Sequence, residues 1–514
     1  MKKLSELIKD LPDKRIVGNS EIPIQGITYD SRQAGKDFIF AAIKGQHLDG
    51  ARFIPDVVKK GGSAVLAEEA VSTTATQVIV PDAREAMAKM SAIFYGEPSK
   101  HMALIGVTGT NGKTTATYLV ESILRNAGFH AGVVGTVNYR YKDKIFNAPH
   151  TTPEAPDLQK IFKEMVDDGI THCVMEVSSH ALSQKRVAGC RFVGAAFTNL
   201  TQEHLDYHKT MAEYFKSKSR LFTDFVAKEK DGFSVINTDD SWGRRLPCMG
   251  CGNVFRYSMN NDAEIFPQKA LFSLQGIEAC LNTPIGLVDI SSPLLGEYNL
   301  QNIMAAVGIG IGLGLNKRII ENGIAGLKGV HGRLERIVSK DGFQAVVDYA
   351  HTGDALERVL NALRPLAKGR LITVFGCGGD RDRGKRPLMG EIAARLSNFT
   401  IITSDNPRSE DPLEIIKEVE KGIKGGRKWE VGSGKKDFST SHTPHPASRS
   451  YAVIPDRHEA IKVAVSMATP QDIILVAGKG HEDYQIIGDH KIPFDDMQEI
   501  KKAMEERYAI KAAG

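Results

Sequence analysis

Short runs of apolar residues alternate along this chain with longer stretches in which apolar residues recur at helical spacing. The clearest case is the apolar run 103–107, which is followed by a glycine-rich loop and then by the amphipathic stretch 114–125. Short apolar runs are typical of buried strands, and amphipathic stretches are typical of helices packed on a sheet. The pattern predicts an α/β protein whose mostly parallel sheets are wrapped by helices.

The pattern divides into three parts, and we predict domains at 1–100, 101–333 and 334–514. In the first part we predict strands at 24–29, 38–42, 64–67 and 78–80, and a helix at 83–94. In the second we predict strands at 130–136, 172–176 and 195–198, and a buried helix at 305–315. In the third we predict strands at 345–347, 371–375, 400–403, 451–454 and 473–476. The segment 425–450 lacks apolar periodicity and is rich in Gly, Ser, Thr, Pro and Lys, which predicts a mobile surface insertion.

Composition narrows the functional classes only slightly. The chain has 514 residues, is 42% hydrophobic and 25% charged, and has a net charge of +4, which is too small to indicate nucleic-acid binding. Six cysteines do not form a disulfide scaffold in a chain of this length, and the single Cys248-x-x-Cys251 pair lacks the second pair of a zinc site. Without a targeting segment or a long apolar run, we expect a cytoplasmic protein that is monomeric, is not inserted in a membrane and has no nucleic-acid partner.

The loop 109–115, Gly-Thr-Asn-Gly-Lys-Thr-Thr, lies between a predicted strand and a predicted helix. Such a loop directs backbone N–H groups and a helix N-terminus at one point, which suits a phosphate. Lys113 would contact the outer phosphates, and the Thr114 hydroxyl would face Mg²⁺. Val107 stands where the strict phosphate-loop pattern has glycine, so an ordinary glycine turn with a surface lysine is the alternative.

Polar residues follow other strands of the second part. Glu176 ends an apolar strand, where a carboxylate can bind Mg²⁺ or orient water, or can simply lie on the surface. His204 and His208 flank Asp206, and each could be a metal ligand or a capping or core histidine. Lys218 lies in a predicted helix whose lysines by default face solvent. In the first part Ser31 follows a strand, although its local pattern favours a helix cap.

Three polar turns follow neighbouring predicted strands in the third part. They are Gly376–Arg386, which contains Arg381, then Asp405-Asn406-Pro407-Arg408, and Gly478-Lys-Gly-His-Glu482. Together they predict a pocket with both signs of charge, which suits a zwitterionic amino acid: arginine for a carboxylate and glutamate for an ammonium. Arg333, Asp348 and His351 lie near the start of this part, where they could contact a nucleotide.

Four motifs give the chain a resemblance to a known family. They are Gly-Thr-Asn-Gly-Lys-Thr-Thr, Glu-Val-Ser-Ser-His, Thr-Asn-Leu-Thr-Gln-Glu-His-Leu-Asp-Tyr-His and Asp-Tyr-Ala-His-Thr, in this order. The chain resembles, over nearly its whole length, the Mur ligases, the ATP-dependent amino-acid-adding enzymes of peptidoglycan precursor synthesis. The resemblance implies a small UDP-binding α/β domain, a central P-loop ATPase domain and a C-terminal Rossmann-like domain that binds the amino acid.

The resemblance also implies a role for each candidate residue. Gly109, Thr110, Asn111, Gly112, Lys113, Thr114, Thr115, Arg333, Asp348 and His351 would bind ATP. Thr114, Glu176, His204 and a Lys218 carbamylated by CO₂ would hold two Mg²⁺ ions, and Lys113, Glu176, His204 and Lys218 would form the catalytic set. Ser31, His150, Thr151, Thr152, Ser178, Gln184 and Arg186 would hold UDP-MurNAc-L-Ala-D-Glu. Arg381, Asp405, Asn406, Pro407, Arg408, Gly478 and Glu482 would hold the amino acid.

The arginine of the Asp405–Arg408 turn implies meso-diaminopimelate, because the lysine-adding relatives lack an arginine there. The implied reaction joins it to the D-Glu γ-carboxylate through an acyl phosphate. Alternatives are a lysine-adding or folylpolyglutamate-type ligase, a ligase that recycles preformed tripeptide, and a nucleotide-binding switch without catalysis. Two departures from the family pattern, His331 and Gly353, stand where proline is usual.

Overall fold

The computed structural model of the chain describes residues 1–45, 48–425, 427–429 and 450–513. Most of the predicted insertion at 425–450 therefore lies outside the described residues. The chain forms two compact units. The first contains Met1–Pro267, Asn282–Val288 and Gln301–Ile324, and the second contains Gln268–Leu281, Asp289–Leu300 and Ala325–Gly514.

The N-terminal part of the first unit is a small α/β layer, as predicted. Its elements are β1 (Lys2–Lys3), α1 (Leu4–Leu7), β2 (Arg15–Val17), β3 (Pro23–Ile24), β4 (Gly26–Thr28), β5 (Phe38–Ala41), α2 (Ile54–Lys59), β6 (Ala64–Ala67), β7 (Thr76–Ile79) and α3 (Ala83–Phe94). The main sheet has the order β2-β7-β6-β5-β4 and is parallel except at β2. Helix α3 begins at Asp82, whose side chain accepts from the backbone N–H of Glu85 (2.8 Å), so a local cap fixes this boundary.

The central sheet carries the glycine-rich loop. Its elements are β8 (Ala103–Thr108), α4 (Lys113–Asn126), β9 (Ala131–Val134), β10 (Asn138–Tyr141), β11 (Lys144–Asn147), α5 (Ala155–Asp167), β12 (His172–Glu176), α6 (Ser179–Ser183), β13 (Gly194–Phe197), α7 (Leu205–His208), α8 (Met211–Arg220), β14 (Phe233–Asn237) and β15 (Asn253–Tyr257). The order is β11-β10-β9-β12-β8-β13-β14-β15, parallel from β9 to β15. The predicted strand–loop–helix around the loop is confirmed, whereas the antiparallel hairpin β10–β11 was not predicted.

Three further strands and two helices follow: β16 (Phe266–Ser273), β17 (Gly276–Asn282), β18 (Val288–Ser292), α9 (Glu297–Gly312) and α10 (Lys317–Gly326). The apolar residues 303–310 of α9 are buried, as the sequence predicts. Short 3₁₀ helices lie at Gly50–Phe53, Pro98–Lys100, Val226–Lys228, Gly243–Arg245, Pro247–Met249 and Arg364–Leu366, and a π-helical turn at Leu221–Phe225 follows α8. No helix in the described ranges is long and apolar enough to cross a membrane.

The second unit contains a sheet with the order β19-β20-β25-β21-β22-β24-β23 among its described strands. Its elements are β19 (Glu335–Val338), β20 (Gln344–Asp348), α11 (Gly353–Leu363), β21 (Leu371–Phe375), α12 (Lys385–Leu396), β22 (Phe399–Ile402), α13 (Pro412–Glu420), β23 (Arg427–Trp429), β24 (Ser450–Val453), α14 (Arg457–Met467), β25 (Ile473–Ala477), β26 (Tyr484–Ile487), β27 (His490–Pro493) and α15 (Asp496–Ala513). Within this seven-stranded sheet all pairs are parallel except β19–β20. Strands β26 and β27 form a separate antiparallel hairpin. Strands β25, β21 and β22 are neighbours, so the turns that follow them begin side by side.

The N-terminal cap of helix α8 should contribute to the stability of the protein. This cap is Thr210, an exposed residue whose hydroxyl accepts from the backbone N–H of Glu213 (3.2 Å). Replacing Thr210 with alanine should cost about 1 kcal/mol and lower the melting temperature by about 2–4 °C, because an amide at the helix start loses its acceptor. Differential scanning calorimetry measures this shift. Thr210→Ser retains the acceptor and should melt like the parent chain; an alanine variant that does so would contradict the cap.

Candidate active site

The backbone conformation of the glycine-rich loop depends on two glycines. Any other residue at either position would be strained. Gly109 has φ +147°, and a Cβ there would lie 1.9 Å from Thr198 Oγ1. Gly112, at φ +86°, caps α4, and its Cβ would lie 2.2 Å from Asn302 Oδ1. Strand β13 leads into Asn199, which supports the loop: its carbonyl oxygen accepts from Thr110 N (2.8 Å) and its side-chain oxygen from Asn111 N (2.9 Å). The loop is thus a rigid cradle at a helix N-terminus, which suits phosphate.

Two lysine side chains converge on this cradle. Lys113 Nζ donates to the carbonyl oxygens of Gly109 (3.0 Å) and Thr110 (2.7 Å), and Lys218 Nζ donates to Gly109 O (2.7 Å). The expectation that the lysines of α8 face solvent is correct for Lys216 and wrong for Lys218, whose side chain is buried beneath the loop. Burial, reinforced by the nearby Lys113 charge, lowers the pKa of Lys218 well below its usual value. The structure therefore favours a neutral amine at Lys218.

Glu176 lies next to the start of the loop helix rather than on the surface, so the surface alternative is wrong. It ends β12, pairs in register with Val107 of β8 and is only 1% exposed. Its carboxylate accepts from Thr114 Oγ1 (3.0 Å), Thr136 N (2.9 Å) and Thr136 Oγ1 (3.0 Å). Thr136 Oγ1 in turn lies 3.0 Å from Thr151 Oγ1. These contacts orient one buried carboxylate toward the first turn of α4.

The oxygen ligands at this point fit Mg²⁺. Thr114 and Glu176 offer one hydroxyl and one carboxylate, and Mg²⁺ commonly takes one or two protein carboxylates together with waters and substrate phosphates. In the described part of the chain, no group of three or more His, Cys, Asp and Glu residues forms a metal cage. The site thus fits a cation that arrives with a nucleotide better than a resident structural metal.

Three histidines lie together beside the loop. The His180 ring centroid lies 4.9 Å from that of His204 and 5.5 Å from that of His208. Burial is the main cause that lowers the pKa of His180 and His208 to about 4, and it also lowers that of His204. His208 is buried and bonded to Ser179 Oγ (2.9 Å), which favours the core interpretation for it, whereas His204 is partly exposed. In all three histidines the pKa is therefore shifted toward the neutral imidazole.

The residues expected to hold the UDP substrate form a network around β12 and α6. Thr152 Oγ1 donates to Glu176 O (2.9 Å), and Ser178 N donates to Thr152 Oγ1 (3.1 Å). Arg186 donates to Thr152 O (2.8 Å) and to Gln184 Oε1 (2.7 Å). His150 adjoins the network at its Thr151 end. Among the described residues the Ser31 hydroxyl makes no hydrogen bond to this network, although Tyr29 beside it donates to Asp157 of α5 (2.8 Å).

In the second unit, Arg333, Asp348 and His351 lie at the carboxyl end of β20. The Arg333 guanidinium lies 4.6 Å from the ring centroid of Tyr349, and His351 Nδ1 lies 2.9 Å from Tyr349 O. Asp348 is buried and accepts from Leu334 N (2.8 Å) and Ala350 N (2.9 Å). Burial raises the pKa of Asp348, while the Arg333 charge opposes this rise. The structure thus brings the three predicted residues together.

The three polar turns of the second unit meet, as predicted. Gly379 packs so closely that a Cβ would lie 1.9 Å from Pro407 O, and Arg408 Nη1 donates to Gly379 O (2.6 Å). Arg408 has φ +52° and is held by backbone bonds to the hairpin β26–β27: its N–H donates to Ile486 O (3.1 Å) and its carbonyl accepts from Gly488 N (2.8 Å). Arg381 is exposed on the first turn. The guanidinium groups of Arg381 and Arg408 thus lie on the turns that meet here.

The carboxylates of Asp405 and Glu482 lie on the same turns. Asn406 Nδ2 donates to Glu482 Oε2 (2.9 Å). Gly478 has φ +118°, and its backbone lies against Asp405: a Cβ at this glycine would lie 3.5 Å from Asp405 Oδ2. Burial, followed by the Asp405 charge, raises the pKa of Glu482. A cluster that contains both guanidinium groups and carboxylates matches a ligand that carries both carboxylate and ammonium groups.

Comparisons with known proteins agree with this geometry. Three family models match: "Mur ligase family, catalytic domain" over residues 23–95, "Mur ligase middle domain" over 107–310, and "Mur ligase, glutamate ligase domain" over 332–480. A curated relative from Geobacter sulfurreducens, named UDP-N-acetylmuramoyl-L-alanyl-D-glutamate–2,6-diaminopimelate ligase, is 47% identical over 506 residues, which cover 97% of each chain. The chain belongs to the Mur ligase family.

Other members of the family agree with this assignment. A ligase of the same name from Clostridium tetani is 40% identical over 98% of this chain and its own full length. A solved structure with that name matches with a TM-score of 0.70 and 32% identity over 99% of each chain. A Mycobacterium tuberculosis folylpolyglutamate synthase shares the fold at TM-score 0.58, but it is 17% identical and covers 76% of this chain. The predicted α/β Mur ligase fold is confirmed.

Sequence reasoning missed several residues of this Mur ligase site. Thr136 follows β9, a neighbour of β12, and its place at a strand end next to Glu176 was a usable signal. Asn199 stands within a quoted motif but was not selected, although it supports the loop. Lys479 stands within the 478–482 turn and is fully buried there, which no local pattern indicates.

Proposed function

We propose that this chain is the ATP-dependent ligase that joins meso-2,6-diaminopimelate to the D-glutamyl γ-carboxylate of UDP-MurNAc-L-Ala-D-Glu during peptidoglycan precursor synthesis. The main support is the contact between the Asp405–Arg408 and Gly478–Glu482 turns, which brings one guanidinium and two carboxylates together. Lysine lacks the second carboxylate that Arg408 would bind. Relatives that match nearly the whole chain carry this activity in their names.

We assign one main ligand to each predicted domain, with some contacts from residues outside that domain. Residues 1–100, with the network of Thr152, Ser178 and Arg186, would hold the UDP substrate. Residues 101–333 would hold ATP on the glycine-rich loop, with Arg333, Asp348 and His351 as further nucleotide contacts. Residues 334–514 would hold diaminopimelate. The cradle at Gly109–Thr115 and the charge arrangement around Arg408 support the last two assignments.

The first chemical step activates the carboxylate. A γ-carboxylate oxygen attacks the γ-phosphorus of ATP, the bond between that phosphorus and the β–γ bridging oxygen breaks, and ADP leaves with the bond's electron pair. Lys113, whose ammonium lies against the loop, would stabilise the charge on the transferred phosphoryl group. Backbone N–H groups of the loop and the N-terminus of α4 would hold the phosphates in line.

The second step forms the amide. The diaminopimelate amine attacks the acyl carbon, a carbon–nitrogen bond forms, phosphate leaves and the amine proton passes to solvent. Glu482 would position the amino acid by its other charged groups, together with Arg408. When bound, Mg²⁺ would neutralise triphosphate charge, and Thr114, Glu176, His204 and a Lys218 carbamate are the residues proposed to hold it.

The Lys218 carbamate is supported by the burial of this amine. Carbamate formation requires a neutral amine, whose nitrogen bonds to the carbon of CO₂ while a proton is released. Burial and the adjacent Lys113 charge favour that neutral form, and the resulting carbamate anion would be stabilised by the Lys113 ammonium beside it.

We expect native mass spectrometry in bicarbonate near neutral pH to find Lys218 heavier by one CO₂. Ligase activity should fall in CO₂-depleted buffer and return when bicarbonate is added. Lys216→Met, at the exposed lysine two residues earlier on α8, should leave both results unchanged. An unmodified amine together with activity that is indifferent to CO₂ would rule out the carbamate.

Phosphate release with UDP-MurNAc-L-Ala-D-Glu, ATP and a panel of amino acids tests the proposed function. We expect release with meso-diaminopimelate and little with lysine. Preference for lysine would identify a lysine-adding ligase, and activity with glutamate and a folate would identify the folylpolyglutamate type. Turnover of a preformed tripeptide in place of a single amino acid would identify a recycling ligase. ATP binding without phosphate release under every condition would identify a switch.

A further inference from the structure

The turn 478–482 buries a lysine to which the proposed mechanism gives no role. The Lys479 side chain is 0% exposed. Its Nζ lies 3.3 Å from Asp405 Oδ1, 3.1 Å from Asn406 Oδ1 and 3.7 Å from Glu482 Oε2. Taking an ammonium out of water is costly unless partners surround it, so its place between these groups is specific.

Lys479 determines which way the Asn406 amide points. Asn406 Oδ1 accepts from both Lys479 Nζ and Ile486 N (3.0 Å). Because two donors face this oxygen, the amide nitrogen must point the other way, and there it donates to Glu482 Oε2 (2.9 Å). Lys479 therefore holds the Glu482 carboxylate in two ways: through its own charge and through the orientation of Asn406.

The charges around Glu482 leave room for one more cation. Two carboxylates, Asp405 and Glu482, share the single buried ammonium of Lys479. Burial and the Asp405 charge raise the pKa of Glu482, whereas Lys479, the Asn406 amide and Arg408 oppose this rise. The charged and titratable groups that interact with Glu482 are Asp405, Arg408, Lys479, Arg457, Tyr349 and Tyr484. When Arg408 binds a substrate carboxylate, a substrate ammonium would supply the positive charge that the Asp405 and Glu482 pair then lacks.

We propose that Lys479 is a positioning residue that keeps Asp405, Asn406 and Glu482 aligned, and Glu482 ionised, to accept the ammonium of the amino-acid substrate. This inference rests on the proposed function, since it gives the 478–482 turn the same ligand. In this role Lys479 need not touch the substrate, yet it controls the affinity for the amino acid and the pH range in which the amino acid binds.

Lys479→Met tests the inference, because methionine retains much of the side-chain length without the charge. The KM for diaminopimelate should rise about 10-fold or more, as for a buried charge pair that loses one partner. The KM values for ATP and the UDP substrate should stay within about twofold. As the pH is lowered, the kcat/KM for diaminopimelate should also begin to fall at a higher pH than in the parent enzyme. The reason is that the Glu482 carboxylate becomes protonated at a higher pH when Lys479 is absent.

Lys491→Met is the matched control. Lys491 lies on β27 and is exposed, with its Nζ 3.6 Å from the Tyr484 ring centroid, so this variant removes an equal charge from the surface of the same region. It should change neither the KM for diaminopimelate nor the acid limb. If Lys479→Met leaves both at their parent values, or if Lys491→Met shifts them equally, the positioning role is overturned.

A stability measurement covers the case in which Lys479→Met does not fold. The double variant Lys479→Met/Glu482→Gln removes one carboxylate together with the ammonium and should recover much of the melting temperature that the single variant loses. A double variant as unstable as the single one would indicate that Lys479 only fills space, which overturns the inference. Failure of the parent chain to use diaminopimelate would instead refute the proposed function, and the stability coupling between Lys479 and Glu482 would remain measurable.

Discussion

Replacing Lys113 with alanine should lower kcat for ATP-dependent phosphate release at least about 100-fold, the loss typical of one preorganised charge contact to a transition state. The reason is geometric. Lys113 is the first residue of α4, and its ammonium lies against the carbonyl oxygens of Gly109 and Thr110, within the cradle that would bind the triphosphate. A coupled assay of phosphate release with all three substrates measures the effect.

Two controls separate this loss from a general effect of lost charge. Lys160→Ala removes an exposed lysine from α5 in the same unit and should retain the parent rate. The melting temperature of Lys113→Ala should stay close to that of the parent, because the half-buried Lys113 ammonium donates to two backbone carbonyl oxygens of the loop, which water can replace as a donor. If Lys113→Ala ligates at the parent rate, the phosphate-binding role of the loop is wrong.

Replacing Arg408 with alanine should lower kcat/KM for meso-diaminopimelate about 100-fold, while the low activity with lysine should change little. A charge pair that loses one partner typically costs about 2–5 kcal/mol, which corresponds to a factor of about 30 to several thousand, a range that includes the expected loss. The loss should be selective because only diaminopimelate carries the second carboxylate that the guanidinium would bind. Competition between the two amino acids in one reaction, followed by product mass, measures the ratio directly.

Arg395→Ala provides the comparison for Arg408. Arg395 lies on α12 of the same unit, is 47% exposed and pairs with Glu357, so its removal takes away a guanidinium without touching the polar turns. It should leave the preference for diaminopimelate unchanged. An Arg408→Ala enzyme that retains the parent ratio of diaminopimelate to lysine would remove Arg408 from amino-acid selection.

Local signals explain why much of this molecule could be predicted from its sequence. The strand β12 (His172–Glu176), the strand β21 (Leu371–Phe375) and the helix α3 (Ala83–Phe94) match the predicted bounds, because apolar runs, glycines and an Asp82 cap define them within a few residues. The meeting of the three polar turns was also predictable, since parallel neighbouring strands bring their carboxyl ends to one edge.

Features that depend on distant contacts could not be predicted in this way. The burial of Lys218 arises from its contact with Gly109, which is 109 positions away, whereas its own helix gives only a default of exposure. Likewise, the hairpin β26–β27 holds Arg408 through backbone bonds across about 80 residues of sequence, and its strands are short, with four residues each. Tertiary packing, rather than local pattern, fixes both.

The strand order of the second unit has a consequence for synthesis on the ribosome. Strand β25 lies between β20 and β21, although it follows them in the chain by about a hundred residues. A nascent chain that ends before Ile473 therefore leaves β20 and β21 each with one unpaired edge, and buried residues such as Val346 and Val374 exposed to water. This unit can complete its core only after β25 has been synthesised, so termination before Ile473 should yield aggregates rather than a stable fragment.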